Sequence, residues 1–387
     1  MRFLLIKGYS HSILMDIRQL LNYIVVADLS NRVPVVHWGS SSFYNGKIYN
    51  NAFNMYFEPV SDYTIEDLMK PEYSFFPSVW NYENLLIPDP GLASFTDRSI
   101  GEILESEADV VVCDLYPNKM PVQELIGEQH PLYGMEARQM YRYLIKKYLK
   151  LKPDITRKIS QFFYTHSLHE GPTLALHVRG EVALDEITSR FSYSSYNSKF
   201  KIKYKPFRNT NDTLLLHQPY RIHKVGRDMT SNKIYHKEIQ FMLGKYSIKK
   251  LFLMTDSTKI IEEYKQLYGT MLVHTDAPRQ DDDELVPYLE THMHRRQNGI
   301  DAILEAYIAA NCSFFLGDGH SEISHGVTYL KDWPNTNFKL MYWVSETSDI
   351  AKFNEVKTIV YPQNEFVGKA RQMQLELSRI WNRFKGR

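Results

Sequence analysis

Apolar side chains recur along this chain at two periods, and each change of period marks an element. Residues 3–7 form a nearly continuous apolar run of strand length, and Ile13, Leu14, Ile17, Leu20, Leu21, Ile24 and Val25 follow at helical spacing. A second run, Val33-Pro34-Val35-Val36-His37-Trp38, completes a strand, helix, strand unit. Runs of this kind, apolar on both sides, predict parallel strands covered on both faces. Residues 108–113 predict another strand, and residues 135–150 and 155–165 a pair of helices. Between residues 40 and 101 the chain is rich in aromatic, Asn and Pro residues, and no period dominates.

The second half repeats this grammar. Apolar runs at 173–178, 250–255, 271–274 and 313–317 predict strands, with helices over 233–246 and from Asp256 to Tyr268. Asp256 stands where the N-cap of the second helix is expected. Ile300, Ile303, Leu304, Tyr307 and Ile308 form the apolar stripe of a further helix. After Pro362, Phe366, Ala370, Met373, Leu377, Ile380, Trp381 and Phe384 recur at helical spacing in a terminal helix. The polar stretch 181–231 is too long for an ordinary connection. The expected architecture is α/β, with two Rossmann-like doubly wound domains, residues 1–168 and 169–362, facing a cleft. A C-terminal helix over 363–387 packs across in this reading.

Composition narrows the functional classes. A chain of 387 residues exceeds what one core usually serves, and 43% hydrophobic residues supply two. The 46 Lys and Arg almost cancel the 45 Asp and Glu, so no global field recruits nucleic acid or anionic membrane. Cys113 and Cys312 sit in apolar settings without metal spacing and read as reduced intracellular thiols. No stretch reaches the roughly 18 apolar residues of a membrane span, and the N-terminal run reads as a strand. A cytoplasmic location is expected, with peripheral membrane contact left open.

Candidate chemistry gathers at strand ends. Thr173-Leu174-Ala175-Leu176-His177-Val178 ends in Arg179-Gly180, at the strand tip where open α/β sheets bind ligands. Arg offers a planar fork matched to phosphate oxygens, and Gly lets a ligand approach the main chain. Gly317-Asp318-Gly319-His320-Ser321 is expected to open a helix, where free backbone N–H groups and the Ser321 hydroxyl can cradle a phosphate. In the first half, His11 either assists proton transfer or merely ends a loop. Trp38 either stacks on a sugar ring or packs in the core. Asp281-Asp282-Asp283-Glu284 reads as a solvated acidic loop rather than a metal-nucleotide site. His292 and His294 lack further ligands and neighbour Arg295-Arg296, which argues against zinc.

Four segments then occur in a telling order. They are His177-Val178-Arg179-Gly180, Leu253-Met254-Thr255-Asp256, Gly299-Ile300-Asp301-Ala302-Ile303-Leu304-Glu305, and Phe314-Phe315-Leu316-Gly317-Asp318-Gly319-His320-Ser321-Glu322. The series resembles the donor-binding half of the α1,6-fucosyltransferase and nodulation fucosyltransferase superfamily, to which protein O-fucosyltransferases are related. The resemblance spans residues 172–329 and, loosely, the first strand, helix and second strand.

The resemblance implies a GT-B fold and inverting transfer of fucose from GDP-fucose to a glycan or protein hydroxyl. No cofactor and no metal are implied; the GDP-sugar is the donor substrate. By this likeness Arg179 binds the diphosphate, and His177 and Glu305 hold the guanine. A carboxylate suits that task because it accepts from guanine N1–H and N2–H together. Thr255-Asp256 matches the start of a Thr-Asp-Asp motif, where Asp256 orients Arg179 or the sugar, the N-cap role being compatible. Gly180, Gly319, His320 and Ser321 complete the implied donor seat.

The chain also departs from the pattern. Glu181-Val182-Ala183-Leu184-Asp185-Glu186 replaces a Thr-Asp-Lys segment, so a cation is missing there, and Lys224 or Arg227 is its candidate replacement. An inverting transfer needs a base within reach of the acceptor hydroxyl. Among Glu181, Asp185 and Glu186, Glu186 is the leading choice. The departure keeps a second reading open, a catalytically inactive GT-B-like module that binds a glycan or nucleotide.

Overall fold

Short β-branched and apolar runs form the first sheet. The computed structural model describes residues 1–8, 12–39, 50–87, 100–113, 122–178, 232–279, 292–319, 321–345 and 356–361. Strand β1 (Phe3–Lys7) leads through helix α1 (Ile13–Leu29) to β2 (Val33–His37). The aromatic stretch without a period yields a 3₁₀ turn over Phe53–Met55, α2 (Ile65–Leu68) and β3 (Phe75–Phe76) among its described residues, before α3 (Ile100–Glu105) and β4 (Val110–Cys113). The strand order is β2-β1-β4-β3, and every pairing is parallel, with Lys7 in register with His37.

One face of this sheet, carrying Phe3, Leu5, Val35, Val110 and Val112, packs on Ile65, Leu68, Trp80 and Leu85. Helix α1 is buried beyond its apolar stripe. Asp16, Gln19 and Asn22 are buried as well, and Tyr141 donates a hydrogen bond to Asn22 Oδ1 at 2.9 Å. Helices α4 (Ala137–Tyr148) and α5 (Pro153–Thr165) end the first half, close to the expected pair.

The second sheet begins with β5 (Thr173–His177). It continues with α6 (Asn232–Lys245), β6 (Lys250–Met254), α7 (Thr258–Tyr268), β7 (Leu272–Val273), α8 (His292–Asn311), β8 (Phe314–Asp318) and α9 (Glu322–Leu330). Two further strands, β9 (Phe338–Ser345) and β10 (Val356–Tyr361), were not expected from the sequence. The order is β10-β9-β8-β5-β6-β7, parallel throughout except for β10 against β9. An antiparallel edge on a parallel sheet is common in α/β folds. The core holds Leu174, Leu176, Leu251, Leu253 and Leu316 against Tyr235, Ile239, Met242, Ile260 and Tyr264. Ala175, Phe252 and Phe315 of the same strands are also fully buried, so the sheet is covered on both faces.

The chain forms two compact units that separate between His169 and Glu170. Residues 275–311 and 325–332 pack with the first unit although they lie in the second half of the chain. Physical contacts explain this grouping. Tyr56 donates to the Arg296 carbonyl at 3.3 Å, and a Cβ on Gly299 would stand 2.3 Å from the Tyr56 hydroxyl. The Tyr141 and Tyr329 rings lie 4.9 Å apart, and Arg142 pairs with Asp332. The expected terminal helix over 363–387 and the stretch 181–231 lie outside the described residues.

Candidate functional site

The carboxyl edge of the second sheet gathers buried polar groups around β5. His177, its last residue, lies in register with Met254 of β6 and Gly317 of β8. The imidazole is 5% exposed, and its Nδ1 is 2.8 Å from the hydroxyl of Ser324, itself fully buried in the first turns of α9. With Nδ1 unprotonated, that hydroxyl donates. The His177 carbonyl accepts from the Tyr235 hydroxyl at 3.1 Å. Thus α9 holds the ring of His177 and α6 its carbonyl, while β6 and β8 flank its backbone.

Gly317 makes this arrangement possible. A Cβ there would fall 2.5 Å from Ser324 Oγ and 2.6 Å from the Phe315 ring, distances that real side chains do not tolerate. The glycine therefore serves packing at a close approach rather than a turn.

The loop after β8 departs in part from the expected phosphate cradle. The Gly319 N–H donates to the Met341 carbonyl at 2.7 Å, and the Ser321 N–H to the Asp318 carbonyl at 3.2 Å. These two amides serve the fold and are not available to an anion. What remains is the Ser321 hydroxyl, 3% exposed and without a hydrogen-bond partner among the described residues. Asp318 beside it is fully buried.

Asp256 does not cap the following helix. Ser257 is the N-cap of α7, and its Oγ accepts from the Ile260 N–H at 3.4 Å, the reach that closes a first helical turn. Asp256 stands one residue earlier and half-buried, which removes the capping role. Thr255, 5% exposed, accepts from the Ser257 N–H through Oγ1 at 3.3 Å.

Glu305 belongs to the first compact unit, whereas His177 belongs to the second. The carboxylate is 9% exposed, and Oε1 accepts from Arg279 Nη2 at 2.6 Å and from the Thr275 hydroxyl. Burial raises its pKa, and the Arg279 guanidinium opposes that rise. Two hydrogen bonds fill the lone pairs of Oε1, and Oε2 accepts none among the described residues. Asp301, one turn earlier on α8, is raised by burial too, against a hydrogen bond from Gln297 at 2.7 Å.

Of the two readings of Trp38, core packing holds. The indole is 1% exposed, meets Phe53 edge-on at 5.2 Å, and would lie 2.9 Å from a Cβ on Gly8. Arg179, Gly180, Glu181, Asp185, Glu186, Lys224, Arg227, His11, His320 and the acidic run 281–284 lie outside the described residues. Sequence reasoning missed Ser324, Tyr235, Thr275, Arg279 and Lys7. Arg279 had a signal, a cation just past an apolar strand; Ser324 had none until the register of α9 against β8 was known.

Among the described residues, no group of three His, Cys, Asp or Glu side chains is placed to hold a metal ion, and no helix is long and apolar enough to cross a membrane. Cys113 and Cys312 are buried thiols. No family model matches the chain, and no curated protein matches it by sequence. Solved structures do match. NodZ α-1,6-fucosyltransferase soaked with GDP-fucose aligns with a TM-score of 0.52 and 16% identity over 93% of this chain and 99% of that one. The chain has the GT-B fold of this fucosyltransferase. The Bradyrhizobium NodZ structure gives a TM-score of 0.51 at 16% identity, with 93% and 99% coverage. NodZ co-crystallized with GDP gives the same score, identity and coverage. The superfamily resemblance drawn from four short segments in the sequence therefore holds at the level of fold.

Proposed function

We propose that the chain is an inverting, metal-independent glycosyltransferase that moves fucose from GDP-fucose to a hydroxyl of a glycan or protein. The observation that carries this reading is the His177 edge. A buried imidazole is tethered by Ser324 through the gap that Gly317 leaves, at the strand ends where α/β folds seat nucleotides, and Ser321 of the same loop keeps a buried hydroxyl without a hydrogen-bond partner among the described residues. The fold likeness to NodZ, a protein crystallised with GDP and soaked with GDP-fucose, supports the same donor.

In this reading the acceptor oxygen attacks the anomeric carbon as the bond from that carbon to the diphosphate oxygen breaks. A base, with Glu186 assigned, takes the hydroxyl proton, and His11 assists on the acceptor side. Arg179 offsets the charge that builds on the departing GDP. Asp256 orients Arg179 or the sugar, and Gly180, Thr255, Gly319, His320 and Ser321 line the donor. His177 and Glu305 hold guanine, Glu305 with Oε2 while Arg279 and Thr275 keep its other oxygen.

A thermal-shift panel of nucleotides and nucleotide sugars tests the donor, since a ligand bound only by the folded state raises the melting temperature. GDP and GDP-fucose are expected to stabilise the chain, and Arg179→Ala to weaken GDP by about 2 kcal/mol, about 30-fold. Unchanged GDP affinity would remove Arg179 from the diphosphate. Turnover of GDP-fucose with and without chelator completes the test. Bound GDP with no turnover of any GDP-sugar favours the inactive module, and chelator-sensitive turnover defeats the metal-independent reading.

A further inference from the structure

Thr275, Arg279 and Glu305 close a ring of hydrogen bonds within the first unit. The chain past β7 supplies Thr275 and Arg279, and α8 brings Glu305 back against them. The Thr275 hydroxyl donates to Glu305 Oε1 and accepts from Arg279 Nη2 at 2.9 Å, while Nη2 also donates to Oε1 at 2.6 Å. The side chains of Arg279 and Glu305 are 9% and 11% exposed, so little water reaches the pair.

This closure divides the carboxylate. Oε1 has both lone pairs engaged by Arg279 and Thr275, and Oε2 accepts none among the described residues. The superfamily resemblance implies a carboxylate that takes guanine N1–H and N2–H together, and those parallel donors are spaced for two oxygens. A single oxygen lies in line with only one of them, and a hydrogen bond weakens steeply away from linearity.

Resting on the proposed assignment of Glu305 to the base, we infer that Arg279 sets the base selectivity of the donor site by holding Oε1 and so limiting Glu305 to the base N1–H. The nucleobase class then widens from guanine to 6-oxopurines that carry an N1–H, hypoxanthine included. Adenine stays excluded, because its N1 is an acceptor and would face a carboxylate. Arg279 acts through Glu305 and is a positioning residue.

The same cation keeps the carboxylate charged. Burial raises the pKa of Glu305 and Asp301 adds to the rise, whereas Arg279 and the Thr275 hydroxyl oppose it. Asp301, one turn earlier on α8, is itself held by Gln297 at 2.7 Å. Without Arg279 the neutral carboxyl is favoured, and its acceptor role returns only as the pH rises.

Calorimetric titration of the full chain with GDP, IDP and ADP tests the inference. The parent chain is expected to bind GDP and IDP within about threefold of each other, and ADP at least about tenfold more weakly. A preference for GDP over IDP of about tenfold or more, the scale of one hydrogen bond to a charged group, overturns the inference and leaves the donor reading intact. Arg279→Met is expected to weaken GDP at least about tenfold relative to the parent at about pH 6, and by less at about pH 8. Arg279→Lys, which keeps a cation and a donor, should restore it. Thr275→Val removes one bond at Oε1 but keeps the cation, and should raise the ratio of GDP to IDP affinity without the pH effect. A loss in Arg279→Met that is constant with pH and unrelieved by Lys marks a packing role and overturns the inference, as does an unchanged affinity ratio in Thr275→Val. A parent chain that binds ADP as tightly as GDP removes Glu305 from the base, and one that binds none of the three nucleotides defeats the donor reading itself.

Discussion

Lys7 and His177 each end an interior strand of a parallel sheet, and they treat their polar tips in opposite ways. Lys7 is buried, donates to the carbonyls of Leu85 at 3.0 Å and Ile87 at 2.7 Å, and lies 4.0 Å from the centre of the Trp80 ring. Its charge is turned into the fold, tying β1 to the segment that covers one face of the sheet. His177 is equally buried and held by Ser324, while Ser321, three residues before Ser324, keeps a buried hydroxyl without a hydrogen-bond partner among the described residues. Such a group costs free energy unless something arrives to bond it. The same position in a βαβ unit is thus a clasp to the covering segment in one sheet, and in the other a ring held from the following helix, which the proposed function assigns to the donor.

The largest test of this contrast is Trp38→Ala. If the edge of the first sheet is sealed by packing, emptying the site of this buried indole should lower unfolding stability by about 4 kcal/mol in urea denaturation. A loss below about 1 kcal/mol, accompanied by weaker saccharide binding, would return the indole to the ligand. Next in size is Lys7→Met, which leaves the Leu85 and Ile87 carbonyls without their charged donor and should cost about 2 kcal/mol. GDP affinity is expected to stay unchanged in that variant, and a parallel drop would mean that the clasp also serves the nucleotide.

Two glycines sharpen the comparison further. Gly317→Ala forces a methyl against Ser324 Oγ and the Phe315 ring, and Gly8→Ala forces one against the Trp38 indole. Each is expected to cost about 1.5 kcal/mol of overpacking. Only Gly317→Ala should weaken GDP, because only there does the displaced group hold His177. Equal GDP affinity in both variants would break the assignment of His177 to the donor seat.

The smallest expected effect lies at the opposite end of the first sheet. Asp109 Oδ2 accepts from the Ser74 N–H at 2.9 Å and the Ser74 hydroxyl at 2.7 Å, which lowers its pKa. A depressed folded pKa contributes stability above the unfolded value of about 3.9, and that stability is lost as the pH falls through the folded value. Ser74→Ala should cost about 1 kcal/mol at neutral pH. The difference from the parent chain should narrow as the pH drops below about 4; a gap constant with pH would show that the hydroxyl acts by packing alone.

The strand tips and turns of the candidate site were legible in the residue pattern, and much of its wiring was not. The run ending at His177 pointed to a strand tip, and the Gly317-Asp318-Gly319 run to a turn before a helix, because strand and turn signals are local. Asp256 was misassigned as a cap since Asp and Ser are near-equal cap formers, and only backbone geometry selects Ser257 between neighbours. The Glu305 pairing with Arg279 spans 26 positions, and no period in the sequence links them.

What the sequence determined by itself was the alternation of strand and helix, hence parallel sheets, and through four short segments a resemblance that holds at the level of fold. Those signals depend on side-chain spacing within one element, which a linear reading contains. The tertiary structure alone decided that residues 275–311 return to the first unit, that β10 pairs antiparallel on β9, and that Ser324 meets His177 where Gly317 leaves room. Each of these is set by packing between elements remote in sequence, where which polar atoms find partners depends on close contacts that no local pattern encodes.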